Sequence, residues 1–131
     1  MLKDRFRKFL PVIVDLETGG FDSKKNAILE IAIQLIDEEN SRLVLGDSYR
    51  YHIKPFDGLK VDKEALEFLR LDLNHPLRSA VEEKYALKES FKIINKHKSK
   101  YECSRAILVG HNAFFDHSFL SEACNRNNIK K

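Results

Sequence analysis

Pro11-Val-Ile-Val-Asp15-Leu-Glu-Thr-Gly-Gly20 is the stretch that decides the fold. Its first half is a short, β-branched apolar run, the composition of a strand buried on both faces, and the glycine pair ends it in a turn. Residues at i and i+2 of a strand project to the same side, so Asp15 and Glu17 bring two carboxylates together where the strand leaves the core. Carboxylates that close repel each other unless a proton or cation intervenes, and an oxygen-only donor set suits Mg²⁺ or Mn²⁺ better than zinc. For Asp-x-Glu alone, a solvated acidic turn is the more ordinary reading.

Working outward, residues 27–36 read as a second strand and residues 43–54 as a third, with Tyr49, Tyr51 and Ile53 on one face. Asp37-Glu-Glu-Asn40 turns between them, so the pair is an antiparallel hairpin that Pro55 stops. Beyond it the period becomes helical. Asp62 is placed to cap a short helix carrying Ala65, Leu66, Phe68 and Leu69, which Asn74-His-Pro76 ends. Ser79 opens a second helix running to about Lys96 through Val81, Tyr85, Leu87, Phe91 and Ile94. Arg105-Ala-Ile-Leu-Val-Gly110 repeats the buried-strand signature, and residues 114–125 form a last helix. The order β, β, β, α, α, β, α fits a mixed α/β layer fold.

With 131 residues, 43% of them apolar and 33% charged, the chain has the composition of one soluble globular domain. No apolar run approaches the roughly 18 residues of a membrane span, and the apolar stretch that follows the charges of residues 1–8 already ends at Val14, so neither membrane nor signal peptide is expected. Cys103 and Cys124 read as reduced thiols, in keeping with a cytoplasmic location. The net charge of +3 is mild, but basic residues gather at Lys3, Arg5, Arg7 and Lys8, at Lys92, Lys96, Lys98 and Lys100, and at Lys130 and Lys131. Taken singly, each cluster is ordinary solvated surface.

A second chemical cluster, His111-Asn-Ala-Phe-Phe-Asp-His117, follows the fourth strand. Asp116 lies about one turn into the next helix and reaches the end of the sheet where Asp15 and Glu17 sit, provided the two apolar strands are neighbours. Asn112 alone reads as a helix cap. Together, Asp15-Leu-Glu-Thr and His-Asn-x-x-x-Asp resemble the first two motifs of the DEDD-type 3′-to-5′ exonucleases. Val14-Asp-Leu-Glu-Thr-Gly-Gly-Phe21, Lys63-Glu-Ala-Leu-Glu-Phe68, Cys103-Ser-Arg-Ala-Ile-Leu-Val-Gly-His-Asn112 and Phe115-Asp-His-Ser-Phe119 are similar to a branch of that family that trims tRNA and other structured RNAs.

The resemblance implies a ribonuclease H-like mixed sheet flanked by helices and a metal-dependent exoribonuclease activity. It implies two Mg²⁺ ions, with Mn²⁺ as a substitute, held by four carboxylates, of which Asp15, Glu17 and Asp116 match three and serve as catalytic ligands. It gives Thr18, Phe21, Glu64, Phe68 and Phe115 contacts to the single-stranded 3′ end of tRNA, rRNA or DNA. To Arg5, Arg7, Arg105 and Lys130 it gives a role in holding substrate for a second subunit, hence a homodimer. Core packing is the alternative for each Phe, above all Phe68, which follows its helix's own apolar spacing. The family's third motif, a His followed five residues later by an Asp, has no match after Asp116. The expectation is therefore that residues 1–131 form an exonuclease domain lacking its last strand and helix, with reduced or absent activity. Two alternatives stand beside it, an inactive single-strand-binding remnant and a related DNA or oligonucleotide 3′ exonuclease.

Overall fold

The structure, a computed structural model, describes residues 1–130. A short helix α1 (Leu2–Arg5) precedes strands β1 (Phe9–Thr18), β2 (Ile28–Glu39) and β3 (Arg42–His52). Helices α2 (Lys63–Leu69) and α3 (Glu83–Lys100), strand β4 (Arg105–Val109) and helix α4 (Ala113–Arg126) follow. The strands form one mixed sheet in the order β3-β2-β1-β4. β1 pairs antiparallel with β2 and parallel with β4, so the two apolar strands are neighbours, and both run toward the end where Glu17 and Gly110 lie.

Alternation along the strands sorts the residues. Leu10, Val12, Val14 and Leu16 of β1 face inward with Ile31, Ile33 and Leu35 of β2, and α3 and α4 cover them with Leu87, Ile94, Phe119 and Ala123. Each fully buried Leu, Ile or Phe contributes roughly 1.5 to 3 kcal/mol, so this face carries the core. Of the alternating residues, Ile13 and Glu17 are half-buried and Asp15 is exposed. The expectation of strands buried on both faces is thus half right for β1. It fails for β4, where Ile107 and Val109 are 49% and 43% exposed, because they share the face of Ile13, opposite the helices, on a strand that among the described residues pairs only with β1.

The helices depart from the sequence reading at their starts. Val81 donates to the His52 carbonyl and accepts from Lys54, so residues around it are drawn beside the sheet and α3 begins at Glu83 rather than Ser79. α2 ends at Leu69, where Arg70 turns left-handed, and buries none of its residues. Helix α1 was not foreseen, and it packs Leu2 fully into the core.

Two polar clusters fix α3 and α4. Glu83, 2% exposed at the start of α3, accepts Arg126 Nε and Nη2 at 2.7 and 2.6 Å and Asn127 Nδ2 at 2.7 Å from the end of α4. At the other end of α3, Tyr101 Oη donates to Asp37 at 2.6 Å and His97 Nε2 lies 2.8 Å from the Ile36 carbonyl. Both cysteines are buried and neither forms a disulfide.

Candidate nuclease site

The end of β1 and the start of α4 converge at Gly110. A side chain there would meet the Val14 carbonyl at 2.8 Å and Asp116 at 3.5 Å, so the close approach of helix to strand requires a glycine. Asn112 reverses the chain with φ 53° and makes no side-chain cap, contrary to its expected role, because the left-handed turn does the positioning. Asp116 enters from the first turn of α4 and is 5% exposed. Burial, and next the negative charges of Asp15 and Glu17, push its carboxyl up to about 6. Glu17 is raised too, first by burial and then by Asp15 and Glu30, with Arg50 opposing.

The three carboxylates predicted from the sequence therefore feel one another across the strand end. Their hard oxygen donors and surplus negative charge fit a divalent cation of the Mg²⁺ or Mn²⁺ type. They are not gathered into a ligand cage: among the described residues, no three His, Cys, Asp or Glu side chains stand close enough to hold a metal ion.

Beside Glu17 opens a cleft of about 660 Å³. Glu17, Thr18, Phe21, Glu64, Phe68 and Phe115, six of the residues singled out from the sequence, all line it. Phe21 and Phe68 are 92% and 88% exposed, which removes the core reading of Phe68. Phe21 meets Phe115 edge-on, with ring centroids 6.4 Å apart, and Phe115 in turn leans on the buried Phe119. Thr18 Oγ1 donates to the Gly20 carbonyl at 2.7 Å, holding the turn that presents Phe21.

The basic residues lie elsewhere. Arg5 Nη2 donates to the Ser41 carbonyl at 2.8 Å, beside the β2–β3 turn. Arg7 is exposed in the turn that precedes β1, at the far end of that strand. Arg105 and Lys130 line a separate groove of about 660 Å³ with Lys98 and His117. Sequence reasoning missed Asp62 in the cleft wall, the Glu30–Arg50 ion pair beside Glu17, and Phe114, which is 81% exposed. Of these, only Phe114 carried a signal, as the first of two adjacent aromatics where one ring suffices for the core.

A family model described as RNase_T, exonuclease, matches residues 12–131. Among curated proteins, the chain is 43% identical to ribonuclease T of Histophilus somni, over all of this chain and 61% of that protein. It is 46% and 48% identical to the ribonucleases T of Vibrio cholerae and Photobacterium profundum, over 99% of this chain and 59% of each. The chain thus spans about 60% of the length of the curated relatives it matches. Among solved structures, E. coli exonuclease I in complex with a dT13 oligonucleotide superimposes with a TM-score of 0.71 at 15% identity, over 92% of this chain and 24% of that one. A zinc-bound form of the E. coli exonuclease I–ssDNA complex superimposes with a TM-score of 0.70, also at 15% identity and over the same shares. These likenesses bear out the ribonuclease H-like mixed sheet.

Proposed function

Because the chain belongs to the RNase_T exonuclease family, we propose that its cleft receives the single-stranded 3′ end of an RNA and that Asp15, Glu17 and Asp116 serve the hydrolysis of the last phosphodiester bond. The observation that carries this reading is the placing of exposed Phe21 and Phe68 in one cleft with Glu17. Exposed rings serve unstacked bases, each stack contributing roughly 1 to 3 kcal/mol with little regard to sequence, which suits an enzyme that trims many ends. Glu64, exposed on the same wall, is available to accept from a base edge.

The three carboxylates would hold Mg²⁺, which when bound supplies charge stabilisation at the phosphoryl oxygens and an activated water. Their own contribution is electrostatic. Asp116, buried and then set beside Asp15 and Glu17, resists ionising, so the site favours arrival of positive charge over a third free carboxylate. We extend the reading to tRNA and other structured RNAs in the cytoplasm. It includes a homodimer in which Arg5, Arg7, Arg105 and Lys130, all exposed and outside the cleft, hold RNA for a second copy.

The test is trimming of an RNA with a single-stranded 3′ overhang in Mg²⁺ or Mn²⁺. Loss of one nucleotide at a time, abolished in Asp15→Ala and Glu17→Ala, is the expected result. No shortening by the folded wild-type chain, at any metal concentration, would sink the hydrolytic reading. Binding without cleavage is a second reading, favoured by the carboxylates' not forming a closed ligand set. It predicts overhang affinity that is unchanged in the same two variants.

A further inference from the structure

We propose that Asn26 is a positioning residue that sets the two walls of the cleft against each other. One wall is the Gly19-Gly20 turn carrying Phe21, and the other is the strap of residues 60–62 leading into α2 with Glu64 and Phe68. The inference rests on the reading of the cleft as a nucleic-acid site. Asn26 is 5% exposed, and its Nδ2 lies 3.2 Å from the Gly19 carbonyl, 3.3 Å from the Lys60 carbonyl and 3.3 Å from Asp62 Oδ1. Its Oδ1 accepts from the Asp22 backbone N–H at 3.0 Å. One carboxamide thus touches both walls and the loop after Phe21.

Two further observations make this contact matter. The walls meet so closely that a side chain at Gly20 would lie 2.5 Å from both Asn26 and Asp62, and one at Gly19 would lie 2.9 Å from Val61 Cα. Helix α2 buries no residue, so it is oriented through the strap at its start rather than by the core. Asp62, the N-cap residue of α2, accepts from Ala65 and Leu66 N–H through its backbone carbonyl but makes no side-chain cap bond, and its carboxylate accepts from Asn26 instead. Backbone bonds from Ala27 N–H to Lys60 and from Asp62 N–H to Gly19 keep the strap attached even without the carboxamide. Losing the side chain should therefore shift the wall that carries Phe68 without unfolding the sheet.

The experiment uses the full chain, a fluorescein-labelled single-stranded oligonucleotide with a free 3′ end in EDTA, and amide hydrogen exchange. Asn26→Asp keeps the shape but removes the donor and sets a carboxylate against Asp62 and two carbonyls. It is expected to weaken oligonucleotide binding at least tenfold. It should also speed exchange jointly at residues 19–22 and 60–70, while core amides of β2 stay protected. The double variant Asn26→Asp/Asp62→Asn restores a donor between the two positions and should recover most of the affinity, which a general loss of stability could not produce. Wild-type affinity in Asn26→Asp, exchange that rises equally in β2, or no recovery in the double variant would each overturn the proposal. A wild-type chain that binds no oligonucleotide would count against the function of the cleft, and the exchange pattern would still decide whether Asn26 joins its walls.

Discussion

Glu17 on β1 stands directly opposite Glu30 on β2 in the antiparallel ladder, two carboxylates on one face of the sheet. Like charges at paired positions oppose each other, and Arg50, whose Nε lies 3.1 Å from Glu30 Oε1, offsets the repulsion from β3. Glu17 is raised by Glu30 and lowered by Arg50, so the two substitutions should act in opposite directions. Glu30→Gln should move the Glu17 titration toward lower pH, and Arg50→Ala should move it higher, as read by carboxyl-carbon NMR. Arg50 is 67% exposed, so its loss should cost under about 1 kcal/mol of stability. A Glu17 titration unmoved by either change would show that burial and Asp15 govern it without Glu30 or Arg50.

Asp116 makes the metal-free chain sensitive to pH. Its carboxyl is raised from 3.8 to about 6, so the folded state binds more protons than the unfolded one between those values, and stability falls as pH rises through that window. A shift of that size corresponds to about 3 kcal/mol, complete above about pH 7 and absent below about pH 4. Asp116→Asn should remove most of this slope and stabilise the chain in EDTA at pH 7.5 while leaving pH 4 little changed. Urea denaturation at the two pH values is the check. Mn²⁺ should flatten the wild-type slope in the same way and should have little effect on that of the variant.

Phe68 separates packing from recognition. It is 88% exposed, so Phe68→Ala should change stability by no more than about 0.5 kcal/mol. Single-strand affinity should fall by about 5- to 150-fold, the loss of one stacked base. Phe115 packs on Phe119 with ring centroids 4.8 Å apart, so Phe115→Ala should lower both stability and affinity. Denaturation and fluorescence anisotropy on the same samples distinguish the two behaviours. Equal losses of stability in both variants would return Phe68 to the core.

The sheet and the carboxylates were legible because their signals are local. β-branched runs, a hairpin turn and the i, i+2 spacing of Asp15 and Glu17 need no knowledge of distant residues. What failed depended on neighbours. Arg105-Ala-Ile-Leu-Val109 has the same composition as the inner strand, yet its edge position leaves Ile107 and Val109 open. Phe68 follows a helical apolar spacing, but α2 buries no residue, so the period describes a face that meets the cleft. Asn26 could not be read at all, because its acceptors Gly19, Lys60 and Asp62 come together only when the two loops meet. Asp62 illustrates the same limit: it stands at the N-cap of α2 as its sequence context predicts, but tertiary contact gives its carboxylate to Asn26 rather than to the helix.

The helix that delivers Asp116 and Phe115 is tied down at its far end by Glu83, and this tie should be among the costliest to break. Glu83 is 2% exposed and accepts three charge-assisted or amide hydrogen bonds, two of them from Arg126. The Arg126 guanidinium also lies 5.2 Å over the Phe56 ring, which keeps its plane fixed for the bidentate contact. Removing one member of a buried pair leaves the other charge without compensation, at about 3 to 5 kcal/mol. Arg126→Met should approach that cost, while Glu83→Gln/Arg126→Met, which removes both charges and keeps the volume, should recover much of it. A double-mutant cycle by urea denaturation measures the coupling, expected at 1 kcal/mol or more, whereas additive losses would mean that α4 is held by Phe119 and Ala123 alone.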